Sequence, residues 1–218
     1  MYNSIPPVVK NLLIINGLLF LGTVVAEGFD ISLIRILGLH SLQSEFFKPY
    51  QFITHMFMHG GFLHIFSNMF ALWMFGSRLE MTWGSSRFLF YYFFTGLGAA
   101  ALHSGVTYWD IEQQKAAGLA GQELYRLINI PTVGASGAVF GVLIGFGLLF
   151  PNTQLMLLFP PIPIKAKIFV FLYGAFELYA GFSSFSGGSN IAHFAHVGGM
   201  VFGFILIKYW QKKGNSFY

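Results

Sequence analysis

The chain has no cysteine and few charged residues. The absence of cysteine among its 218 residues excludes disulfides, thiolate metal sites and a cysteine nucleophile. Asp, Glu, Lys and Arg together make up only 9% of the chain, far below the roughly one quarter that soluble domains contain. Hydrophobic residues make up 55%, and the apolar runs are long enough to cross a bilayer as helices. The composition therefore predicts an all-α, polytopic membrane protein.

The basic excess of this chain is modest and dispersed. The formal net charge is +4, but the Lys and Arg residues are scattered over short loops instead of forming a stripe or a basic arm. We therefore expect membrane lipid, and no nucleic acid, among the partners. The first apolar segment lacks a clear signal-cleavage pattern after it, so it is interpreted as a retained span.

Six membrane spans can be assigned within one domain covering residues 1–218. They are 10–28, 62–75, 88–106, 135–150, 164–182 and 190–210. The second and fourth are short for a full crossing, which predicts that their outer ends lie below the membrane surface, inside the protein, where water reaches them. Residues 30–49 mix apolar and charged side chains and are predicted to lie in the interface.

The distribution of Lys and Arg predicts the orientation. With both termini cytoplasmic, the inner loops hold Lys10, Arg78, Arg87, Lys165, Lys167, Lys208, Lys212 and Lys213, and the outer loops hold Arg35, Lys48, Lys115 and Arg126. Eight cations against four fit the positive-inside rule. We therefore expect a multi-pass protein of the plasma (cytoplasmic) membrane.

The second, fourth and sixth spans run in the same direction, from outside to inside. Their first turns therefore lie at the same depth. His64 and Asn68 share one helical face near the start of the second span. Ser136 opens the fourth span, and His193 and His196 fall in the first turns of the sixth. This topology predicts that polar residues from three distant segments converge on one pocket.

Ser136 and His196 each have a chemical and a structural interpretation. Ser136 stands at a helix start where free N–H groups would stabilise an anion, but a serine beside Gly137, Gly141 and Gly145 is also typical of helix packing. His196 could take the proton of a serine hydroxyl, or it could be a buried histidine satisfied by a carbonyl.

The histidine-rich stretch 55–68 has three interpretations. His64 and Asn68 could donate hydrogen bonds to a developing oxyanion, could serve structure only, or could belong to a metal site. No HExxH sequence is present and no carboxylate is nearby in the sequence. We therefore expect no metal and no cofactor.

Two acidic residues call for an explanation. Glu80, with Arg78 and Arg87 nearby, is predicted to tie helix ends together. Glu177 is the one acid within an apolar stretch. It is predicted to pair with Tyr179 or with a donor from a loop, or to lie near the interface, and it is not expected to be catalytic.

Taken together, three motifs resemble the rhomboid family of intramembrane serine proteases, in its six-span bacterial form. The stretch from His59 to Asn68 is similar to HGxxxHxxxN, Gly134-Ala-Ser-Gly137 is similar to GxSG, and Ala195-His196 with Gly199 and Gly203 is similar to AHxxGxxxG. The similarity runs from about residue 50 to residue 203.

The resemblance implies a function and roles for residues. Ser136 would be the nucleophile and His196 the base of a dyad without an acid, and Asn68, His64 and the Ser136 N–H would form the oxyanion hole. Gly134, Gly137, Gly199 and Gly203 would allow close packing, and Phe140 would stack on the imidazole where some relatives carry tyrosine.

The resemblance also implies a substrate and an entry route. Substrates would be transmembrane helices, cut near the outer face, with a gate around residues 182–189. Two other hypotheses are an inactive rhomboid-like protein that binds membrane helices without cutting them, and a small channel or transporter in which the histidines relay protons or metal.

Overall fold

The computed structural model describes residues 4–156, 161–183 and 191–214. The described residues form a helical bundle with one small hairpin. The helices are α1 (Pro7–Glu27), α2 (Leu33–Leu37), α3 (Gln51–Thr54), α4 (Phe62–Ala71), α5 (Ser77–Trp83), α6 (Ser85–Ala116), α7 (Gly121–Asn129), α8 (Ser136–Leu149), α9 (Ala166–Ser183) and α10 (Ile191–Lys212). The predicted all-α class is confirmed. Most of the predicted gate, residues 184–189, lies outside the described residues.

The helix of the second span is longer than the sequence indicates. After α4 the chain continues through a π-helical turn, Leu72–Gly76, directly into α5 and ends at Trp83, where Gly84 adopts a φ of 80°. The helix that contains the predicted second span therefore extends eight residues beyond it, because Arg78 and Glu80 continue the helix past its apolar part. The fourth helix, α8, has 14 residues.

The outer connections are more ordered than their polarity indicates. Helix α6 runs to Ala116, ten residues past its predicted span, and α7 follows after a short turn. An antiparallel bridge joins Leu39 to Thr132, with both N–H···O distances at 2.8 Å. The two outer loops are thereby tied to each other above the bundle. A second, two-stranded pairing, β1 (Gln154–Met156) with β2 (Pro163–Lys165), precedes α9.

Glycines let α10 pack closely against α6 and α8. A Cβ on Gly199 would collide with the Gly137 carbonyl, and one on Gly203 would lie 2.5 Å from the Tyr91 hydroxyl. That hydroxyl donates to the Gly141 carbonyl at 2.7 Å. The small residues of α8 and α10 therefore set the distance between these two helices, and α9 packs against both of them.

The outer surface of the bundle is strongly apolar. Large side chains on α1 and α9 are well exposed, among them Leu18 (63%) and Phe171 (72%), which suits contact with lipid. Among the described helices, α1 alone is both long enough and apolar enough to cross a membrane by itself, while α8 is apolar but shorter.

Candidate active site

A cavity of about 240 Å³ lies between α4, α8, α9 and α10. Four polar residues predicted from the sequence line it, His64, Asn68, Ser136 and His196, together with the predicted Phe140. Their helices start at the same end of the bundle, so residues far apart in sequence meet. The other lining residues are mainly apolar: Ser67, Ala71, Phe75, Val139, Leu143, Phe169 and Tyr173.

Gly134 shapes the backbone just before Ser136. Its φ of 128° is accessible to glycine and strained for other residues, and its N–H donates to the His55 carbonyl at 2.9 Å. This turn delivers Ser136 to the first position of α8. The N–H groups of the first helical turn have no partner within their helix, so they can face an anion that forms at Ser136.

His64 lies directly beside this turn. A Cβ built on Gly134 would be 2.8 Å from His64 Nε2 and 3.5 Å from Ser136 Oγ. Both polar atoms are therefore close to one point in the cavity. A side chain at position 134 would displace the imidazole.

Asn68 is held by its own helix. Its Nδ2 donates to the His64 carbonyl at 2.8 Å, and the residue is only 5% exposed. An amide nitrogen carries two hydrogens, so this bond leaves one N–H for the cavity. Its position suits donation to an oxyanion.

His59 packs against the His64 ring. The two ring centroids are 5.0 Å apart in an edge-on contact. Burial, reinforced by the nearby His64, lowers the pKa of His59 to about 4. His59 therefore stays neutral at physiological pH and adds no positive charge at this edge of the cavity.

Phe140 and His196 form a stacked pair. Their ring centroids are 4.1 Å apart and their planes are inclined by 8°. Tyr173 contacts the other side of Phe140 at 5.0 Å. The stack fixes the plane of the imidazole, and the close approach of Gly199 to Gly137 fixes the backbone that carries it.

The Ser136 hydroxyl and the His196 imidazole share the cavity without a direct hydrogen bond in the described part of the chain. Catalytic hydrogen bonds are often long before substrate binds and shorten in the complex. Both groups line the same cavity, so a hydrogen bond between them can form when a substrate binds.

The partner of Glu177 differs from the prediction. Its Oε2 lies 2.9 Å from Nδ1 of His196 and 2.6 Å from Nδ1 of His193. Among the described residues, the partners are these two histidines of α10 and not Tyr179 or a loop donor, because Glu177 occupies the face of α9 that packs on α10. The expectation that no carboxylate orients His196 is wrong for the same reason. It considered only the residues next to His196 in sequence, whereas Glu177 reaches His196 across the interface between α9 and α10.

These same three side chains deserve comparison with a metal site. One ligand atom from each of Glu177, His193 and His196 lies within 4.8 Å of the others. Two ligands of a tetrahedral zinc ion are about 3.3 Å apart, given metal–ligand distances near 2.0–2.1 Å. The separations of 2.6 and 2.9 Å are those of hydrogen bonds.

Gln51 is a structural residue of the outer loop that the sequence did not reveal. Its side chain is 1% exposed. It accepts from the N–H groups of His40 and Lys48 and donates to the carbonyls of Ile36 and Phe46. The segment from Ile36 to Gln51 is thus held around one amide, and nothing in the sequence distinguishes this glutamine from an exposed one.

The fold and the cavity together define a class of protein. A bundle with an apolar outer surface carries, inside it, a hydroxyl, two imidazoles and an amide around one cavity. This is a helical integral membrane protein with a polar site inside its bundle.

Comparison with known proteins identifies the family. The model of the Rhomboid domain matches residues 47–212, and the chain belongs to the rhomboid family. The resemblance predicted from three motifs is confirmed.

Individual relatives agree with this membership. Rhomboid protein 1, mitochondrial, of Saccharomyces cerevisiae is 35% identical over 73% of this chain and 41% of its own length. Rhomboid-like protein 11, chloroplastic, of Arabidopsis thaliana is 28% identical over 87% of this chain and 62% of its own. Rhomboid protease GluP of Bacillus subtilis is 29% identical over 71% and 25%. The chain thus spans less than two thirds of the length of these relatives.

Proposed function

We propose that the protein is an intramembrane serine endopeptidase that cleaves transmembrane helices of other membrane proteins near the outer face of the bilayer. The observation that carries the proposal is the single cavity lined by Ser136, His196, His64 and Asn68. Membership of the rhomboid family and the printed name of the Bacillus subtilis relative, a protease, support it.

The mechanism is acyl transfer with Ser136 as nucleophile. As Ser136 Oγ bonds to the peptide carbonyl carbon, its proton passes to Nε2 of His196. The carbonyl oxygen becomes an oxyanion near the free N–H groups at the start of α8, Asn68 Nδ2 and His64 Nε2. His196 then gives the proton to the leaving amine as the C–N bond breaks, and the acyl group stays on Ser136. Water attacks this acyl group while His196 takes a proton from the water, and His196 returns the proton to Ser136 Oγ as the ester bond breaks.

The apolar lining of the cavity supports a substrate that comes from lipid. A transmembrane helix must unwind locally for its carbonyl to reach Ser136, and residues with poor helix propensity, such as glycine, lower that cost. Small residues near the cleaved bond also suit a cavity of about 240 Å³.

The proposal extends to location. We place the protein in a plasma (cytoplasmic) membrane with both termini on the cytoplasmic side. The excess of Lys and Arg on the inner loops supports this orientation. The contacts of the α1 start with Glu80, and of Trp83 with Trp210 near the end of α10, support termini on the same side.

Two other functions predict different behaviour. An inactive rhomboid-like protein would bind membrane helices without cutting them, and a channel or transporter would move ions. The presence of both Ser136 and His196 at one cavity favours the protease over either.

Purified protein in detergent, presented with a fluorogenic transmembrane peptide, tests the protease. We expect Ser136→Ala and His196→Ala each to lower kcat by at least about a thousandfold, as the loss of a nucleophile or its base does in other serine hydrolases. His193→Ala serves as the matched histidine control and should retain far more activity than His196→Ala.

Covalent labelling of the nucleophile and removal of metal by a chelator give two further tests. A fluorophosphonate should label the wild-type protein and not Ser136→Ala. Undiminished cleavage by both dyad variants would sink the proposal, and loss of turnover with a chelator would revive the metal hypothesis.

A further inference from the structure

Glu177 is a buried acid on α9, and within the described part of the chain its close partners both lie on α10. It is 3% exposed, and its Oε2 contacts Nδ1 of His196 at 2.9 Å and Nδ1 of His193 at 2.6 Å. A carboxylate removed from water requires such donors, because burying an unpaired charge is costly.

The contacts define which ring nitrogens carry protons. An ionised carboxylate only accepts hydrogen bonds, so each Nδ1 that contacts it must carry the hydrogen. In neutral His196 this leaves Nε2 as the basic nitrogen. That is the nitrogen on the opposite side of the ring from Glu177, and the ring itself lines the cavity that contains Ser136.

Two independent contacts then fix the imidazole. Phe140 stacks on its face at 4.1 Å, which sets the plane of the ring. Glu177 holds one edge of it, which sets the rotation within that plane. A ring fixed in both ways presents one nitrogen in one direction.

We propose that Glu177 is a positioning residue for His196, which orients the imidazole of the Ser136–His196 pair through its contact with Nδ1. This inference rests on the proposed protease function. When the Ser136 proton reaches His196 Nε2, the ring becomes an imidazolium with a hydrogen on each nitrogen. Glu177 remains ionised and stabilises that cation through Nδ1–H, and the proton leaves again with the amine.

The alternative is that Glu177 only ties α9 to α10. A glutamine at this position keeps the length of the side chain and an oxygen that accepts from Nδ1–H, but it has no charge. An aspartate keeps the charge and is one methylene shorter. Shape and charge therefore rank the two variants in opposite orders.

The experiment measures kcat and KM of Glu177→Gln and Glu177→Asp on a fluorogenic transmembrane peptide, and the rate at which a fluorophosphonate labels Ser136. We expect Glu177→Gln to lower kcat by about a hundredfold, the scale of general acid–base assistance, with KM within about threefold and labelling slowed in parallel. Glu177→Asp should be at least about tenfold more active than Glu177→Gln. Glu123→Gln, the same substitution at an exposed position on α7, is the control and should match wild type.

The outcomes separate this inference from the proposed function. If the wild-type protein cleaves the peptide, and Glu177→Gln is as active as wild type or more active than Glu177→Asp, then Glu177 is only a structural tie. That result overturns the inference alone. Wild-type protein that neither cleaves nor becomes labelled would overturn the protease itself. Labelling occurs only in folded protein, and a variant that misfolds is also recognised by its altered elution in size-exclusion chromatography. If Glu177→Gln misfolds, the kcat of Glu177→Asp decides between the positioning role and the structural tie.

Discussion

At the scale of single residues, Gly134 is the position where a methyl group has the clearest consequence. Its φ of 128° strains any L side chain, and a Cβ there would lie 2.8 Å from His64 Nε2. We predict that Gly134→Ala lowers kcat by about a hundredfold, the usual cost of losing one oxyanion donor. Steady-state cleavage of a fluorogenic transmembrane peptide measures this effect.

Gly60 provides the matched control for that substitution. It lies in the same outer region, and a Cβ on it would have Val133 Cγ2 at 4.0 Å as its nearest neighbour. Gly60→Ala should therefore keep nearly all activity. Equal rates for the two alanine variants would contradict the placement of His64 in the oxyanion hole.

The sequence motifs indicated the residues of the cavity but not all of their partners. His64, Asn68, Ser136 and His196 could be found because each sits at a recognisable spacing from glycine or from another polar residue. Glu177 could not be assigned, because it meets His193 and His196 across an interface between two helices, at separations of 16 and 19 residues. The rotation of α9 about its own axis decides this contact, and an almost uniformly apolar helix carries little periodicity from which to predict it.

At the scale of elements, Glu80 joins the second helix to the beginning of α1. Its carboxylate accepts from the N–H groups of Val8 and Val9 at 2.9 and 2.8 Å, and from Ser85 Oγ at 2.7 Å. Glu80 is 2% exposed, and a negative charge at a helix N-terminus is favourable. The predicted tie between helix ends is confirmed, although its partners are backbone N–H groups and a serine instead of arginines.

We predict that Glu80→Gln lowers the free energy of unfolding by about 3 kcal/mol, because hydrogen bonds to a buried charge are lost and their donors are left without an equal acceptor. The midpoint of thermal unfolding in detergent should fall accordingly. Glu123→Gln, a change at an exposed position on α7, should leave the midpoint unchanged. A Glu80→Gln protein as stable as Glu123→Gln would show that α1 docks without this cap.

The element boundaries show where apolar patterning stops being informative. The second helix continues past its apolar part through Ser77–Trp83, and α6 continues past its predicted span to Ala116. In both cases the polar extension is helical because helices continue into the interface as long as no proline or glycine ends them. The position of these helices along the sequence can be predicted from hydropathy, whereas helix ends depend on local breakers such as Gly84.

At the scale of the whole molecule, the length of α6 can be compared with the thickness of the bilayer. Arg87, near its start, lies over the ring of Trp210 at 5.4 Å, so the start of α6 and the end of α10 share one face of the bundle. Gln113 is 26 residues further along α6, about 39 Å at 1.5 Å per residue. That distance exceeds the roughly 30 Å of hydrocarbon in a bilayer, so we predict that Gln113 and the end of α10 lie on opposite sides of the membrane.

The absence of cysteine makes this arrangement directly testable. In bacterial cells, a membrane-impermeant maleimide should label Gln113→Cys from outside, and should label Lys213→Cys only after the cells are opened, because both positions are exposed on opposite sides. Leu21→Cys, on the lipid-facing surface of α1, is the control that should react in neither condition. Labelling of Lys213→Cys in intact cells with protection of Gln113→Cys would reverse the orientation, and would place the Ser136 cavity at the cytoplasmic face of the membrane.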